Sequence, residues 1–433
     1  MTIYFRDVLS FLLLLTVVTR QGGALRSGDH RTSSIGRNAK VVTPKNRRDF
    51  LRDVTATTAA VIATTTGTRP PAAGAVSPIA ADAAVAAMKF RTSLPPIGLG
   101  CWAWGDALFW GYNPSQDNDL NEVFDYVISQ TSSKDDSSSS LPSSVLFDTA
   151  ELYGLGRSES LIGDFGKNLS SETKDKMVVA TKFAPLPFRT KPENVVKACE
   201  GSLKRLGNNR PIDLYQIHFP NVYANEEYWD GLAQAYEKGI VRNVGVSNYG
   251  VDALRACHSA LAKRGIPLVS NQIQYNLLYR FPEQNGLLQA CKELDVQVLS
   301  YSPMALGLLA GKYRTVDSLQ QIAGPRKKIF KDTVEDPKFQ NLLKVMEQIS
   351  SNHGEKSNIA QVAINWCRAK GTIPIPGARN LRQVKSNYAA LNWKLSTEDI
   401  ALLDEAASFS YISPDTAPFP RKDKDTGLVM FDS

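Results

Sequence analysis

The chain of 433 residues has few of the side chains that most often bind metal ions or form redox disulfides, with four histidines and five cysteines. With so few imidazoles, a metal site built from clustered histidines is not expected, and we predict no metal. The cysteines form no C-x-x-C pair, which excludes zinc ribbons and thioredoxin-like chemistry. We expect free thiols, typical of a reducing compartment, at Cys101, Cys199, Cys257, Cys291 and Cys367.

Two further absences limit the function. No G-x-G-x-x-G opens a predicted helix, which excludes a Rossmann dinucleotide site. Residues 1–87 contain no Glu and hold eleven Lys and Arg against five Asp, so six of the seven excess positive charges lie there. The remainder of the chain is nearly neutral, and we therefore predict no nucleic-acid partner.

The composition of residues 1–87 predicts a targeting leader. Residues 1–24 resemble a secretory signal, because the apolar run 8–18 is too short to span a bilayer and small residues follow it. Residues 25–48 are basic and rich in hydroxyl side chains, as in transit peptides. Residues 47–75 begin with Arg47-Arg48 and resemble a twin-arginine signal.

This order resembles the bipartite plastid leaders of algae with secondary plastids. We predict a plastid protein whose mature form has no integral membrane span, with the stroma and the thylakoid lumen both left open. A disordered basic tail is the alternative interpretation of the same residues.

Residues 88–415 alternate between strand and helix patterns. Apolar stretches of strand length lie at 97–102, 145–148, 177–182, 212–218, 241–247, 268–274, 296–301 and 372–376. Helical spacing marks 193–206, 227–238, 252–263, 282–294 and 359–368. We expect Asp252 and Ser357 to cap helices, which should end near Gly207, Gly239, Gly265 and Gly371. Eight such units predict an α/β fold, a (β/α)8 TIM barrel after the cleaved or disordered leader, with 416–433 as a tail.

Two stretches interrupt this alternation. Residues 131–144 are Ser-rich and without periodicity, which predicts a solvated surface loop. Residues 312–338 are basic, contain Gly324-Pro325 and follow strand seven on the side where a barrel binds ligands. This insertion either shapes the pocket or is a passive surface excursion.

Four polar side chains follow successive predicted strands: Asp148 and Tyr153 after the second, Lys182 at the end of the third and His218 at the end of the fourth. The carboxyl ends of barrel strands share one rim, so these groups should converge. A lysine beside a tyrosine should favour the phenolate and lower the pKa of the phenol. Asp148 would hold the lysine, and His218 would orient a carbonyl oxygen.

Each of these residues has a purely structural interpretation. Asp148 and Lys182 could form an ordinary ion pair, His218 could be a core residue, and Tyr153 could be a loop aromatic. Their order at successive strand ends favours chemistry.

The segments Asp148-Thr149-Ala150-Glu151-Leu152-Tyr153-Gly154, Ala180-Thr181-Lys182 and Gly245-Val246-Ser247-Asn248 resemble motifs of the aldo-keto reductase family. Arg157-Ser158-Glu159 and Tyr279-Arg280-Phe281-Pro282-Glu283 resemble its plastid and bacterial branch. The resemblance runs from residue 97 to residue 403. It implies catalytic roles for Asp148, Tyr153, Lys182 and His218, and an extended NADPH across the barrel mouth. It also implies a monomer and a small-molecule carbonyl substrate.

The resemblance further implies the cofactor contacts. Ser247, Asn248 and Gln272 would hold the nicotinamide carboxamide, and Tyr301 would stack on its ring. Arg379 at a helix start suits a phosphate and favours NADPH over NADH, although a solvated surface charge is the alternative. The remaining expected contacts are Trp102, Ser302, Pro303, Gly307, Leu308, Lys312, Gly377, Gln383 and Asn387.

These residues predict an NADP-dependent oxidoreductase that reduces an aldehyde or ketone to an alcohol, with Tyr153 as the acid. Aromatic side chains should line its mouth: Trp102, Trp104 and Phe183, with Tyr112 and Phe219 beside them. Two alternatives stay open, an NADPH-binding regulatory or scaffold subunit with slow turnover, and a reductase dedicated to one metabolite such as a vitamin aldehyde. The short stretch 88–96 leaves room only for a truncated version of the family's N-terminal hairpin.

Overall fold

The computed structural model describes residues 78–131, 142–207, 210–221, 224–322, 326–354, 357–410, 420–422 and 429–431. Several of the sequence-based predictions lie outside these residues. They are the leader segments 1–24, 25–48 and 47–75, most of the Ser-rich loop 131–144, and the Gly324-Pro325 pair.

Eight parallel strands follow one another around a single sheet in the order of the chain. They are β1 (Gly98–Gly100), β2 (Val145–Asp148), β3 (Met177–Phe183), β4 (Leu214–Ile217), β5 (Val244–Ser247), β6 (Leu268–Gln274), β7 (Gln297–Tyr301) and β8 (Ile373–Ile375). A bridge between Gly100 and Gly377 brings the last strand back to the first. A Cβ on Gly100 would lie 2.7 Å from the carbonyl oxygen of Ile375, so this closure requires glycine. The predicted (β/α)8 barrel is confirmed.

One helix precedes the first strand, and the other helices lie between the strands or after the last one. They are α1 (Pro78–Ser93), α2 (Ala107–Trp110), α3 (Asp117–Ser129), α4 (Arg157–Gly166), α5 (Ser171–Lys176), α6 (Pro192–Arg205), α7 (Asn225–Glu237), α8 (Val251–Ala262), α9 (Phe281–Gln284), α10 (Leu287–Glu293), α11 (Arg326–Glu335), α12 (Pro337–Asn352), α13 (Ile359–Ala369), α14 (Leu381–Tyr388) and α15 (Thr397–Ala406). None of the helices in the described part of the chain has the length and apolar character needed to cross a bilayer.

The helix ends agree in part with the predicted signals. Gly207, Gly239, Gly265 and Gly371 all have positive φ just beyond a helix, as expected for C-terminal caps. The predicted N-caps are wrong: Gly250 rather than Asp252 precedes α8, and Asn358 rather than Ser357 caps α13. Asp252 is already inside the first turn, where its charge still suits the helix dipole.

The predicted helix over 282–294 is two helices. Gly286, with φ of +79°, separates α9 from α10. A left-handed backbone conformation cannot continue a right-handed helix, which explains the break.

The inside of the barrel is divided into an apolar floor and a polar top. The floor contains Leu146, Val178, Ala180, Leu214, Val269, Leu299, Ile373 and Ile375. Side chains two residues apart on a strand point the same way. The side chains of Leu146 and Asp148 therefore lie on the same inner face of the barrel, and so do those of Ala180 and Lys182. The floor supports the polar groups from below and keeps water away from them.

Helix α1 covers this floor. Ala87 is buried in the floor cluster, and Phe90 and Leu94 pack against it. We expected a truncated hairpin before β1, but the described residues there form a helix. This helix crosses residue 87, the last residue of the predicted leader, so the described residues before 88 are folded. Where the leader is removed stays a prediction.

Two other predicted regions carry local structure. The insertion 312–338 contains a 3-10 turn, Asp317–Gln321, and helix α11. In the predicted tail, Pro420–Lys422 pairs antiparallel with Val429–Phe431. All five cysteines are free and buried, in agreement with the prediction of free thiols.

Candidate active site

A buried ion pair lies at the centre of the barrel mouth. Nζ of Lys182 at the end of β3 lies 2.7 Å from Oδ2 of Asp148 at the end of β2. Both side chains are almost completely inaccessible, at 0% and 3% exposure. Lys182 also donates to the carbonyl oxygen of Thr149 at 2.8 Å. The ammonium is thus fixed in direction by two acceptors.

Tyr153 lies beside this ion pair. Its hydroxyl is 3.4 Å from Nζ of Lys182, and the ammonium is 4.9 Å from the centre of its ring. The loop that carries it turns sharply, with φ of +57° at Gly154 and +54° at Leu155. A Cβ on Gly154 would lie 2.3 Å from the carbonyl oxygen of Gly105, so glycine allows the β2 loop to pack on the β1 loop. This packing places the phenol above Lys182.

His218 completes the group from the end of β4. Its ring centre lies 5.7 Å from that of Tyr153 in an edge-to-face arrangement, and its other side stacks on Phe219 at 4.3 Å. Its buried Nδ1 has no hydrogen-bond partner among the described residues. Burial and the nearby Lys182 charge hold the pKa of His218 well below its usual range. The imidazole is therefore neutral near pH 7 and can donate one hydrogen bond.

The pKa of Tyr153 differs from our expectation. We expected Lys182 to lower it, but burial raises the pKa of the phenol well above its ordinary value, and the Asp148 charge raises it further. Burial also lowers the pKa of Lys182 and raises that of Asp148, while the charge of each residue opposes the effect of burial on the pKa of the other. The phenol and the ion pair share one low-dielectric pocket, where a second negative charge is unfavourable. Tyr153 is thus a protonated donor at neutral pH.

These directions predict the pH dependence of catalysis. In the reaction predicted from the sequence, ionisation of Tyr153 would remove the acid, and its raised pKa places that loss well above neutral pH. We expect kcat/KM for reduction, at saturating cofactor, to stay constant from about pH 6 to pH 9. An inflection near pH 6.5, the ordinary pKa of histidine, would mean that His218 changes charge and would contradict this account.

A band of hydrogen-bonding side chains lies next to Tyr153 and the buried ion pair. Oγ of Ser247 donates to the Gln272 carbonyl at 2.9 Å, and Nδ2 of Asn248 contacts Oγ of Ser247 at 3.0 Å. The Tyr301 hydroxyl donates to Oδ1 of Asn248 at 2.9 Å. Asn248 has φ of +62°, a conformation that asparagine tolerates better than most residues. The structure therefore brings these four predicted residues together.

Gln272 has a contact that the sequence did not reveal. Its Nε2 donates to Oδ1 of Asp148 at 2.6 Å. We predicted a carboxamide contact for Gln272, and its Oε1 still has no hydrogen-bond partner among the described residues. The amide thus links the band of Ser247 and Asn248 to the buried ion pair.

The segment after β7 is tightly turned. Ser302 has φ of +51° and Gly307 has φ of +104°, and Asn276 donates to the carbonyl of Ser302 at 2.9 Å. Pro303 and Leu308 are buried, whereas Lys312 is exposed and its ammonium lies over the Tyr313 ring. These predicted contacts form one loop beside Tyr301.

The predicted adenosine contacts lie on α14 and in the segment just before it. The backbone N–H of Arg379 donates to Oε1 of Gln383 at 2.8 Å, and Nδ2 of Asn387 lies 3.3 Å from the carbonyl of Gly377. Arg379 is half-buried and its side chain contacts the carbonyl of Trp110 at 3.1 Å. Gly377 is exposed at the rim.

The predicted aromatic mouth is partly wrong. Trp104 and Phe183 are fully buried outside the barrel, where Trp104 donates to the Ala378 carbonyl and Phe183 packs on Tyr228. Tyr112 is also buried and hydrogen-bonds to Asp117. Phe183 directly follows Lys182 on β3, so strand alternation turns it outward.

Of the predicted mouth residues, Trp102 does lie beside Tyr153, in a cluster with two other aromatic side chains. Trp102 stacks on Phe109 at 4.9 Å, meets Trp110 edge-on at 5.5 Å and lies 6.2 Å from the Tyr153 ring. We did not predict Phe109 or Trp110. The high density of aromatic residues over 102–110 is the sequence signal that could have identified them. Asp106 in the same loop caps α2 by accepting from the N–H of Phe109 at 2.9 Å.

No group of three or more His, Cys, Asp or Glu suited to a metal ion occurs within the described ranges. The arrangement instead offers a protonated phenol, a cation, a neutral imidazole and a band of amides. These groups can hold a carbonyl oxygen and deliver a proton to it.

A sequence profile of the Aldo/keto reductase family matches residues 96–408. Pyridoxal reductase, chloroplastic, of Arabidopsis thaliana is 40% identical over 328 residues, covering 73% of this chain and 84% of that protein. A thermostable aldo-keto reductase solved with the inhibitor epalrestat has a TM-score of 0.55 at 28% identity, covering 72% of this chain and 95% of that one. An aldo-keto reductase from Klebsiella pneumoniae in complex with NADPH has a TM-score of 0.55 at 24% identity, covering 78% and 95%.

Proposed function

Because the chain belongs to the aldo/keto reductase family, we propose that it is an NADPH-dependent reductase that converts an aldehyde or ketone to an alcohol. One observation carries this proposal: Lys182 lies within 3.4 Å of both Asp148 and Tyr153, at the carboxyl ends of the barrel strands. That rim is where TIM barrels place their chemistry.

The four residues have distinct roles. Tyr153 gives its hydroxyl proton to the carbonyl oxygen as negative charge develops there. The Lys182 ammonium, 4.9 Å from the ring centre, stabilises the phenolate that remains. Asp148 keeps Lys182 charged and in place despite its burial. His218, neutral and 5.7 Å from Tyr153 between ring centres, donates to the same carbonyl oxygen and orients it.

The band beside these residues suits a nicotinamide. Its carboxamide has one acceptor and two donors, and Ser247, Asn248 and Gln272 present a matching set. Oε1 of Gln272 can accept from the carboxamide because Nε2 is already occupied by Asp148. The Tyr301 ring, fixed by its bond to Asn248, offers a stacking surface. When bound, NADPH supplies the hydride that reduces the carbonyl carbon.

The remaining cofactor contacts extend away from the chemistry. Residues 302–312 would pass over the pyrophosphate, with Ser302, Gly307 and Lys312 offering polar or open positions. Arg379 would bind the 2′-phosphate at the start of α14, near Gln383 and Asn387. A planar cation beside helix N–H groups favours a phosphate, and this supports NADPH over NADH.

For the substrate we propose an aromatic aldehyde, with pyridoxal as the first candidate. The name of the Arabidopsis relative supports this choice, as does the cluster of Trp102, Phe109 and Trp110 beside Tyr153. The pyridine nitrogen of pyridoxal can carry a proton and positive charge. The Asp106 carboxylate accepts hydrogen bonds from the Trp102 side chain and from backbone N–H groups of residues 108–110, and it has no Lys or Arg partner among the described residues. Its negative charge can therefore pair with that nitrogen.

Asp106→Asn tests this substrate assignment. Asparagine also caps helices well, so the variant removes the charge while keeping the cap of α2. We expect KM for pyridoxal to rise about fivefold, because a charge-assisted hydrogen bond becomes a neutral one. KM for benzaldehyde, which has no ring nitrogen, should stay unchanged. Equal increases for both aldehydes would contradict the assignment.

The reaction itself is tested by mixing the protein with NADPH or NADH and a panel of aldehydes and ketones, and following loss of dihydronicotinamide absorbance. We expect turnover with NADPH, weaker turnover with NADH, and the highest kcat/KM for aromatic aldehydes. The alternative, a regulatory or scaffold subunit, predicts tight NADPH binding with slow turnover. The buried ion pair of Asp148 and Lys182 beside Tyr153 favours an enzyme over a regulatory or scaffold subunit.

For the location we propose the plastid. The chloroplastic relative supports it, and so does the basic, hydroxyl-rich composition of residues 25–48. The leader predicted at 1–87 would have to end before helix α1 (Pro78–Ser93), because that helix covers the floor of the barrel. We place the rest of the barrel at 88–415 and a tail at 416–433, and we propose a monomer.

A further inference from the structure

One side chain connects the adenosine end of the proposed cofactor site to the aromatic cluster beside Tyr153. Arg379 follows β8, and its guanidinium lies 3.1 Å from the carbonyl oxygen of Trp110 in the loop after β1. The same guanidinium is 5.8 Å from the centre of the Trp110 ring. Because β8 and β1 are neighbours in the closed barrel, this contact joins the adenosine side of the mouth to the loop beside Tyr153.

The guanidinium of Arg379 is not paired with a carboxylate in the described part of the chain. One of its nitrogens, NH1, contacts Trp110. A guanidinium has five N–H donors in a rigid plane, so most of them can still bind an anion. Arg379 can therefore hold Trp110 and a phosphate at the same time.

Trp110 in turn contacts residues next to the chemistry. It packs edge-on against Trp102 at 5.5 Å and Phe109 at 5.3 Å. Trp102 lies 6.2 Å from Tyr153. A shift of Trp110 would move the aromatic surface on which the substrate rests.

We propose that Arg379 is a positioning residue for the substrate. By bridging the 2′-phosphate of the cofactor and the carbonyl of Trp110, it fixes the aromatic cluster of residues 102–110 beside Tyr153. The inference rests on the proposed function. A phosphate bound to one edge of the guanidinium orders it, and the other edge then holds Trp110 more firmly. Substrate affinity is thereby coupled to the 2′-phosphate and not only to the nicotinamide.

The first test uses adenosine 2′,5′-bisphosphate, which carries the phosphate but no nicotinamide. Near-ultraviolet circular dichroism reports the packing of tryptophans. We expect the bisphosphate to change this signal in the wild type, and adenosine 5′-monophosphate to change it little. Arg379→Met should abolish the change, and Trp110→Phe should reduce it. Arg382→Met is the matched control, because Arg382 is an exposed cation in the first turn of α14, three residues after Arg379, and it should retain the change.

The second test is kinetic. At saturating NADPH, we expect Arg379→Met to raise KM for the aldehyde about fivefold while kcat changes less than twofold, a coupling at the low end of those measured between sites. Two results together would overturn the bridge alone. In the first, Arg379→Met binds NADPH more weakly but keeps the wild-type KM for the aldehyde. In the second, the bisphosphate leaves the dichroism of the wild type unchanged. Unchanged NADPH affinity in Arg379→Met would overturn both the bridge and the proposed 2′-phosphate site.

Discussion

Replacing Tyr153 with phenylalanine should reduce kcat for carbonyl reduction by about 10²–10⁴-fold, the range that a positioned general acid contributes. The variant removes one oxygen atom, and the aromatic ring still fills the space between Trp102 and His218. Affinity for NADPH should change little, because the hydroxyl contacts Lys182 and not the band of Ser247 and Asn248.

Stopped-flow loss of dihydronicotinamide absorbance measures the effect, with NADPH affinity followed by protein fluorescence. Tyr228→Phe is a suitable control, since Tyr228 is a buried phenol that is hydrogen-bonded to Asn221 but lies outside the barrel. That control should keep near-normal turnover. If Tyr153→Phe retained more than about a twentieth of wild-type activity, well above the range for loss of a general acid, another group would be the proton donor.

Replacing Lys182 with methionine should be as damaging to turnover and should also destabilise the fold. The variant leaves the Asp148 carboxylate at 3% exposure with no cation beside it. Breaking a buried ion pair in this way costs about 3–5 kcal/mol in free energy of unfolding. The pKa of Asp148 should rise further, because the cation that opposed the effect of burial is gone.

A double variant separates the two effects. In Asp148→Asn with Lys182→Met no buried charge is left unpaired, and the amide at 148 can still accept from Gln272. We expect chemical denaturation to show much of the lost stability restored, while activity stays as low as in Lys182→Met. Recovery of activity in the double variant would mean that the ammonium has no role in the chemistry.

The fold and the centre of the site followed from regular patterns. Strand spacing predicted the barrel, and the order of Asp148, Lys182 and His218 at strand ends predicted their convergence. Alternation along β3 could also have placed Phe183 outside, since it adjoins the inward Lys182. The two predicted N-caps failed by one or two residues. At α13 the neighbouring Asn358 caps helices as well as serine does, and at α8 the helix already begins at Val251, after Gly250.

Other features depend on contacts between distant parts of the chain. Arg379 and Trp110 are 269 residues apart and meet only because the barrel closes. The raised pKa of Tyr153 reflects how deeply its pocket is buried, which no motif states. Likewise, the helix that covers the barrel floor falls where composition predicted the end of a leader.

The central claim, that Tyr153 and its neighbours protonate a carbonyl reduced by NADPH, is tested most directly by a single turnover. Protein in excess is loaded with NADPH and mixed with pyridoxal or benzaldehyde. The account predicts complete loss of dihydronicotinamide absorbance with equimolar alcohol formed, at roughly 1 s⁻¹ or faster, as in ordinary enzymes. Tight binding of NADPH with its absorbance unchanged in the presence of every aldehyde would contradict it.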